Sequence, residues 1–113
     1  MAVNNLRLIE GALLTTAAIP YYSSPAGIVT IIKKMAVTNI SAAVQTVSVY
    51  LVPSGGSVGS AYAVAYAVSV PANGVPIEIS GAENQVLMPG DYIAASCSAA
   101  ADVNIIASGA QIQ

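Results

Sequence analysis

Histidine, phenylalanine and tryptophan are absent from this sequence, cysteine occurs once, and charge is scarce. Each absence removes a class of function. Without an imidazole there is no serine–histidine or cysteine–histidine nucleophile, and the clustered Cys and His of a zinc site are missing. Three Lys and Arg against five Asp and Glu give a net charge of −2, and charged residues make up 7% of the chain, against about 25% in an ordinary soluble domain. So few cations cannot neutralise a run of phosphates, so no nucleic-acid partner is expected. A hydrophobic share of 56% excludes a disordered polar tail. Cys97 has no second cysteine to pair with, so a reducing cytoplasm is an acceptable folding compartment.

The 113 residues suffice for one compact domain, with an accessible surface of about 5,700 Å² and about one charge per 700 Å² of it. Monomers of this size keep a well-charged exterior, so much of this one is expected to be covered by other subunits or another protein. The alternative is a surface of Ser, Thr, Asn, Gln and Ala, soluble without many charges.

Long apolar runs that could span a membrane are also lacking. The stretch from Met35 to Ile77 carries no charge but is broken at Thr38-Asn39, Gln45-Thr46, Pro53-Ser54-Gly55-Gly56 and Pro71-Ala72-Asn73-Gly74, whereas a spanning helix needs roughly 20 consecutive apolar residues. Neither this stretch nor Gly11 to Ile32 reads as a membrane helix. Ala12 to Ile19 is a weak signal-peptide core, flanked by Glu10 and a single Arg7.

What is present is β-forming material: 14 Val, 12 Ile, 5 Thr and 6 Tyr. Alternation in Tyr62-Ala63-Val64-Ala65-Tyr66-Ala67-Val68 sets Tyr62, Val64, Tyr66 and Val68 on one strand face. From Thr46 to Val52, Val47, Val49 and Leu51 face one way, and Thr46, Ser48 and Tyr50 the other. Pro53-Ser54-Gly55-Gly56-Ser57 between these runs reads as a hairpin connection. Further strands are expected at Ile28 to Ile40, with Val29, Ile31, Met35 and Val37 on one face, and at Val75–Ile79, Val86–Met88, Tyr92–Ser98 and Val103–Ser108. Turns fall at Ser41-Ala42-Ala43, Pro71–Gly74 and Pro89-Gly90-Asp91, and Ser98–Ala101 could form one helical turn. Seven or eight strands with turns about every ten residues predict an all-β, antiparallel sandwich over residues 26–113. Residues 1–25 are expected either as an extended N-terminal arm, able to pair with a neighbour's sheet edge, or as an ordinary first strand.

Chemistry-bearing residues are sparse. Cys97 shares a strand face with Ile93 and Ala95 and reads as a buried, inert thiol. Lys33 and Lys34, adjacent in a strand, are expected on opposite faces, one at an edge and one towards a partner or solvent. Glu10, Glu78, Glu83, Asp91 and Asp102 are isolated and lack calcium-loop spacing, and Gly55–Ser60 lacks the lysine of a phosphate loop. No cofactor, metal or reaction is expected. Tyr62 and Tyr66 read either as the bulk of the core or as an interface or sugar-stacking face, and Tyr21 and Tyr22 lie in a segment expected to be exposed.

The runs Ile31-Ile32-Lys33-Lys34-Met35-Ala36-Val37-Thr38-Asn39, Val47-Ser48-Val49-Tyr50-Leu51-Val52-Pro53-Ser54-Gly55-Gly56 and Val86-Leu87-Met88-Pro89-Gly90-Asp91 resemble small virion proteins of tailed bacteriophages, the β-sandwich or jelly-roll decoration (cementing) proteins and related tail-fibre domains. The resemblance covers about residues 26–109 and rests on strand and turn motifs, with no catalytic residues to carry over. It implies a jelly-roll-like fold and a structural protein, made in the bacterial host cytoplasm, that binds the outside of the capsid as a dimer or trimer and clamps the major capsid protein. Tyr21, Tyr22, Lys33, Lys34, Tyr62 and Tyr66 are then the candidate interface residues. A tail-fibre module that binds a receptor glycan is the competing expectation.

Overall fold

A computed structural model describes residues 3–113. Their β-branched runs form nine strands: β1 (Val3–Leu13), β2 (Ile19–Ser23), β3 (Val29–Asn39), β4 (Gln45–Val52), β5 (Ala63–Val70), β6 (Pro76–Glu78), β7 (Val86–Leu87), β8 (Tyr92–Cys97) and β9 (Val103–Ile112). Single 3-10 turns fill Ser60–Tyr62 and Ser80–Ala82. One sheet runs β1-β9-β3-β6, with β7 also paired to β3, and the other runs β2-β8-β4-β5. Every pairing is antiparallel, and the two sheets pack as a β-sandwich.

The first 25 residues give two of these strands. β1 pairs with β9 along nearly its whole length, from Val3 opposite Ile112 to Leu13 opposite Asn104, and β2 pairs with β8. The expected arm is corrected to the first-strand alternative: Leu8, Ile9 and Leu14 are buried in the common core, and that burial holds the segment on the sandwich rather than free of it. The expected succession of hairpins also changes. β4 and β5 pair as a hairpin, but most other connections cross from one sheet to the other.

Between the sheets lie Ile32, Met35, Val37, Val47, Val49, Ile93, Val103 and Ile105, all buried. A second, smaller cluster of Tyr50, Val52 and Ala94 sits under Val58, Ala63 and Ala18. It is closed by Tyr92, whose hydroxyl donates to the Gly56 carbonyl at 3.0 Å.

Bulges decide which residues escape the core. Across β9, Ile32 faces Gly109 while Lys34 faces Ser108, so Lys33 is an extra residue in β3. That extra residue reverses the parity of the strand. Ile32, Met35 and Val37 point inward, Val29 and Ile31 lie on the other face only partly covered, and Lys33 and Lys34 are both exposed, correcting the expectation that they diverge. In β5 a register shift opposite Ser48 and a positive φ of 51° at Ala67 break the alternation. The Ala67 N–H donates to Ser48 Oγ at 2.9 Å, and Tyr66 is left 65% exposed. Tyr62 falls in the 3-10 turn before β5 and is 38% exposed. Neither tyrosine fills the core, as their strand alternation had allowed; Val64 and Ala65 pack against it instead.

Asp91 fastens one end of the sandwich. Its carboxylate accepts from the Met88 N–H and the Ser54 N–H, both at 2.9 Å, while its carbonyl accepts from the Ser24 N–H at 2.8 Å. Asp91→Ala leaves two backbone donors without their acceptor, so a loss of about 1–3 kcal/mol is expected. Thermal unfolding by circular dichroism should show the midpoint roughly 5–15 °C lower.

Candidate functional site

All three cationic side chains of the protein, Arg7, Lys33 and Lys34, come together on the outer face of the β1-β9-β3 sheet. Register is the cause. Ser108 of β9 is opposite Arg7 of β1 on one side and Lys34 of β3 on the other, and the β3 bulge adds Lys33 beside it. β1 is bulged at the same level: Arg7 faces Ser108, Ile9 faces Ala107, and Leu8 is the extra residue. Leu8 and Ile9 are both buried, which leaves Arg7 on the outer side. The paired bulges open a depression of about 500 Å³ lined by Asn5, Leu6, Arg7, Lys33, Ser108 and Gly109.

The three cations are not equivalent. Lys34 Nζ lies 2.8 Å from Glu78 Oε1, the one ion pair among the described residues, with both side chains more than half exposed. The hydrogen bond to Glu78, reinforced by its negative charge, holds the Lys34 ammonium above the ordinary lysine range. Arg7 and Lys33 have no carboxylate within ion-pair distance among the described residues. They form the available positive charge of the depression.

A second feature is the end of the sandwich formed by the segments after β3 and β5. Asn39, fully buried, organises it. Its Nδ2 donates to the carbonyls of Ala43 at 2.7 Å and Val70 at 3.1 Å, and its Oδ1 accepts from the Ser41 N–H at 2.9 Å and Ser41 Oγ at 2.7 Å. Backbone bonds from Gly74 N to Asn39 O at 2.8 Å and from Ile40 N to Asp102 O at 2.8 Å complete the tie. On this fixed end Leu13, Ile40, Val44 and Val75 stand 49%, 58%, 64% and 52% exposed. No Lys, Arg or Glu occurs in the segments 38–46 and 70–76 that carry three of them.

The remaining sequence-derived candidates disperse. Tyr22 is half-buried, its hydroxyl bonded to Thr30 Oγ1 at 2.9 Å and accepting from Gln111 Nε2 at 2.7 Å. Ser24 joins the same polar network through Thr30. Tyr21 is also only partly exposed, so this pair braces β2 rather than offering an open aromatic platform. Tyr66 is exposed on β5 of the other sheet, and Tyr62 is exposed in the 3-10 turn that precedes that strand. Cys97 is buried, its thiol donating to the Ala99 carbonyl at 2.8 Å. Of the residues singled out in the sequence, Lys33 and Lys34 alone enter the depression's surroundings. Arg7, Asn5 and Ser108 were not singled out, and neither was Asn39; no short-range motif links them, because strand register brings them together.

No helix is long and apolar enough to cross a membrane. No family model, no curated protein and no solved structure matches the chain.

Proposed function

We propose that this chain is a non-enzymatic structural protein of a virion, a decoration protein that binds the outside of a phage head and cements neighbouring major capsid subunits. The observation that carries the reading is the rigid, apolar end bearing Leu13, Ile40, Val44 and Val75. Exposed apolar side chains held on an ordered scaffold mark a protein contact, and here they stand on a molecule with 7% charged residues. The strand order adds support. With β6 and β7 taken as one interrupted strand, the sheets read first-eighth-third-sixth and second-seventh-fourth-fifth, an order in keeping with a jelly roll, an architecture used in viral capsid and lectin domains. The molecule extends 46 Å along its longest axis, a reach suited to bridging adjacent subunits. Attachment at many lattice points would stabilise the shell by linkage, since a ligand that binds only the assembled form draws the equilibrium towards it.

The test is the copy number of this chain relative to the major shell protein in purified particles. A ratio near one copy per shell subunit, or a simple fraction of it, is the expected result. A few copies per particle would assign the chain to a tail or vertex, and its absence from particles would overturn the proposal. In particles that carry it, Ile40→Asp with Val44→Asp should leave the fold intact, because both side chains are exposed, and should reduce occupancy of the shell by at least about tenfold, the loss expected when charge is placed in an apolar contact.

A further inference from the structure

We propose that the depression between the paired bulges of β1 and β3 binds a sugar acid, with its carboxylate held by Arg7 and Lys33 and its hydroxyls met by Asn5 and Ser108. This goes beyond the assembly role and does not rest on it. Along β9 the Ser108 row lies four residues from the Asn104 row, where Leu13 of the apolar end pairs, a separation of about 13 Å. Both surfaces can therefore be used at once.

Four observations select the ligand. Charge comes first: in a protein of net charge −2, all the cations gather at one place, and the two without a carboxylate partner line the depression. An anion is therefore the complementary ligand, and Arg7 presents the planar fork that matches a carboxylate. Size is the second. The depression is open to solvent, with a volume of about 500 Å³, and the two strands that flank β9 stand about 10 Å apart, room for one sugar ring lying across them. A lone side-chain carboxylate from a protein partner would leave most of that space, and the groups of Asn5 and Ser108, without contact. The third is the lining itself. Four of its six residues, Asn5, Arg7, Lys33 and Ser108, are polar, and the lining mixes polar and apolar surface, which suits a hydroxylated ring rather than a wholly apolar ligand. The fourth is the number of charges. Two available cations are too few for a polynucleotide, whose binding grows with each phosphate neutralised.

The proposal is tested on the full chain by following backbone amide resonances during titration with sodium glucuronate, with glucose, sodium acetate and a triglutamate peptide titrated in parallel at matched ionic strength. Saturable shifts with glucuronate are expected at residues 5–7, 33 and 108–109, with a Kd of about 1–10 mM. Glucose and acetate should each bind at least about tenfold more weakly, because each lacks half of the recognised groups. Arg7→Gln with Lys33→Gln should weaken glucuronate at least about tenfold while resonances elsewhere stay in place, since both side chains are exposed. Lys34→Gln, which removes the cation already paired with Glu78, should have a smaller effect. Absence of saturable shifts with glucuronate overturns the proposal. So does an equal response to acetate, the sign of an adventitious ion only, or tighter binding of triglutamate, the sign of a protein partner.

Discussion

Gly109→Ala is expected to lower the melting midpoint by at least about 10 °C or to prevent folding altogether. Gly109 lies in β9, between β1 and β3, opposite Ile32 and beside the bulge at Lys33. A Cβ built there runs into the Ile31 carbonyl oxygen and comes within 3.1 Å of Leu8 Cδ1. The obstacle is backbone on one side and a buried core residue on the other, and β9 is held by a strand on each side, so neither can move without breaking pairing. Overpacking of this kind costs about 1–3 kcal/mol and more when the backbone cannot yield. The control is Gly59→Ala. That position has extended backbone, φ −163°, and open space around it, so its stability should stay within about 0.5 kcal/mol of the parent. Equal tolerance of both substitutions by chemical denaturation would contradict the close approach of β9 and β3.

The second large effect is expected at Asn39. Its carboxamide makes four hydrogen bonds while fully buried, and Asn39→Ala removes all four partners at once. Each buried group left unmatched costs about 1–3 kcal/mol, less where water can enter, so a total loss of about 3–5 kcal/mol is expected. Asn39→Asp separates charge from shape. Its second oxygen would face the carbonyls of Ala43 and Val70, an environment that opposes ionisation and raises the folded-state pKa of the new carboxyl. A group whose folded pKa is raised is more favourable below its unfolded pKa and loses that benefit as pH rises through the folded one. Asn39→Asp should accordingly be more stable at pH 4 than at pH 7 relative to the parent, with urea midpoints as the readout. A pH-independent difference would show that the side chain is hydrated there.

The contrast between these two residues shows what could be read in advance. Alternation in 46–52 set Val47, Val49 and Leu51 on one face and Tyr50 on the other, the division seen between the main core and the smaller cluster, and the Pro, Gly and Asn clusters placed the turns, because both are short-range properties of the chain. The sandwich class followed from them. Bulges did not follow. The extra residues at Leu8 and Lys33, and the shift around Tyr66 and Ala67, arise from mismatched lengths on neighbouring strands, and nothing in Ile31-Ile32-Lys33-Lys34-Met35 marks Lys33 as supernumerary. One such residue offsets the alternation before it from the alternation after it, which is why Ile32 rather than Ile31 shares the buried face with Met35 and Val37 and why both lysines are exposed. The same limit hid the cationic depression. Arg7, Lys33 and Ser108 are separated by many residues in the sequence and become neighbours only through the register of three strands. Asn39 falls near the end of the expected strand Ile28 to Ile40 with nothing in its neighbours to set it apart, and only its burial and hydrogen bonds reveal that it ties segments together.

The position of β9 has a consequence for how the molecule is made. β9 is an inner strand of its sheet and also the latest of the nine to leave the ribosome, and both β1 and β3 wait for it. Until residues 103–112 emerge, each presents an uncovered edge of unpaired N–H and C=O groups. Nascent chains of this protein therefore pass through a period in which they can bind one another as readily as themselves, and closure depends on contacts between the two extremes of the fold, the slow kind. With so few charges to keep neighbouring nascent chains apart, dilution and rapid completion of the chain become the main protection during synthesis, and crowded polysomes the main hazard.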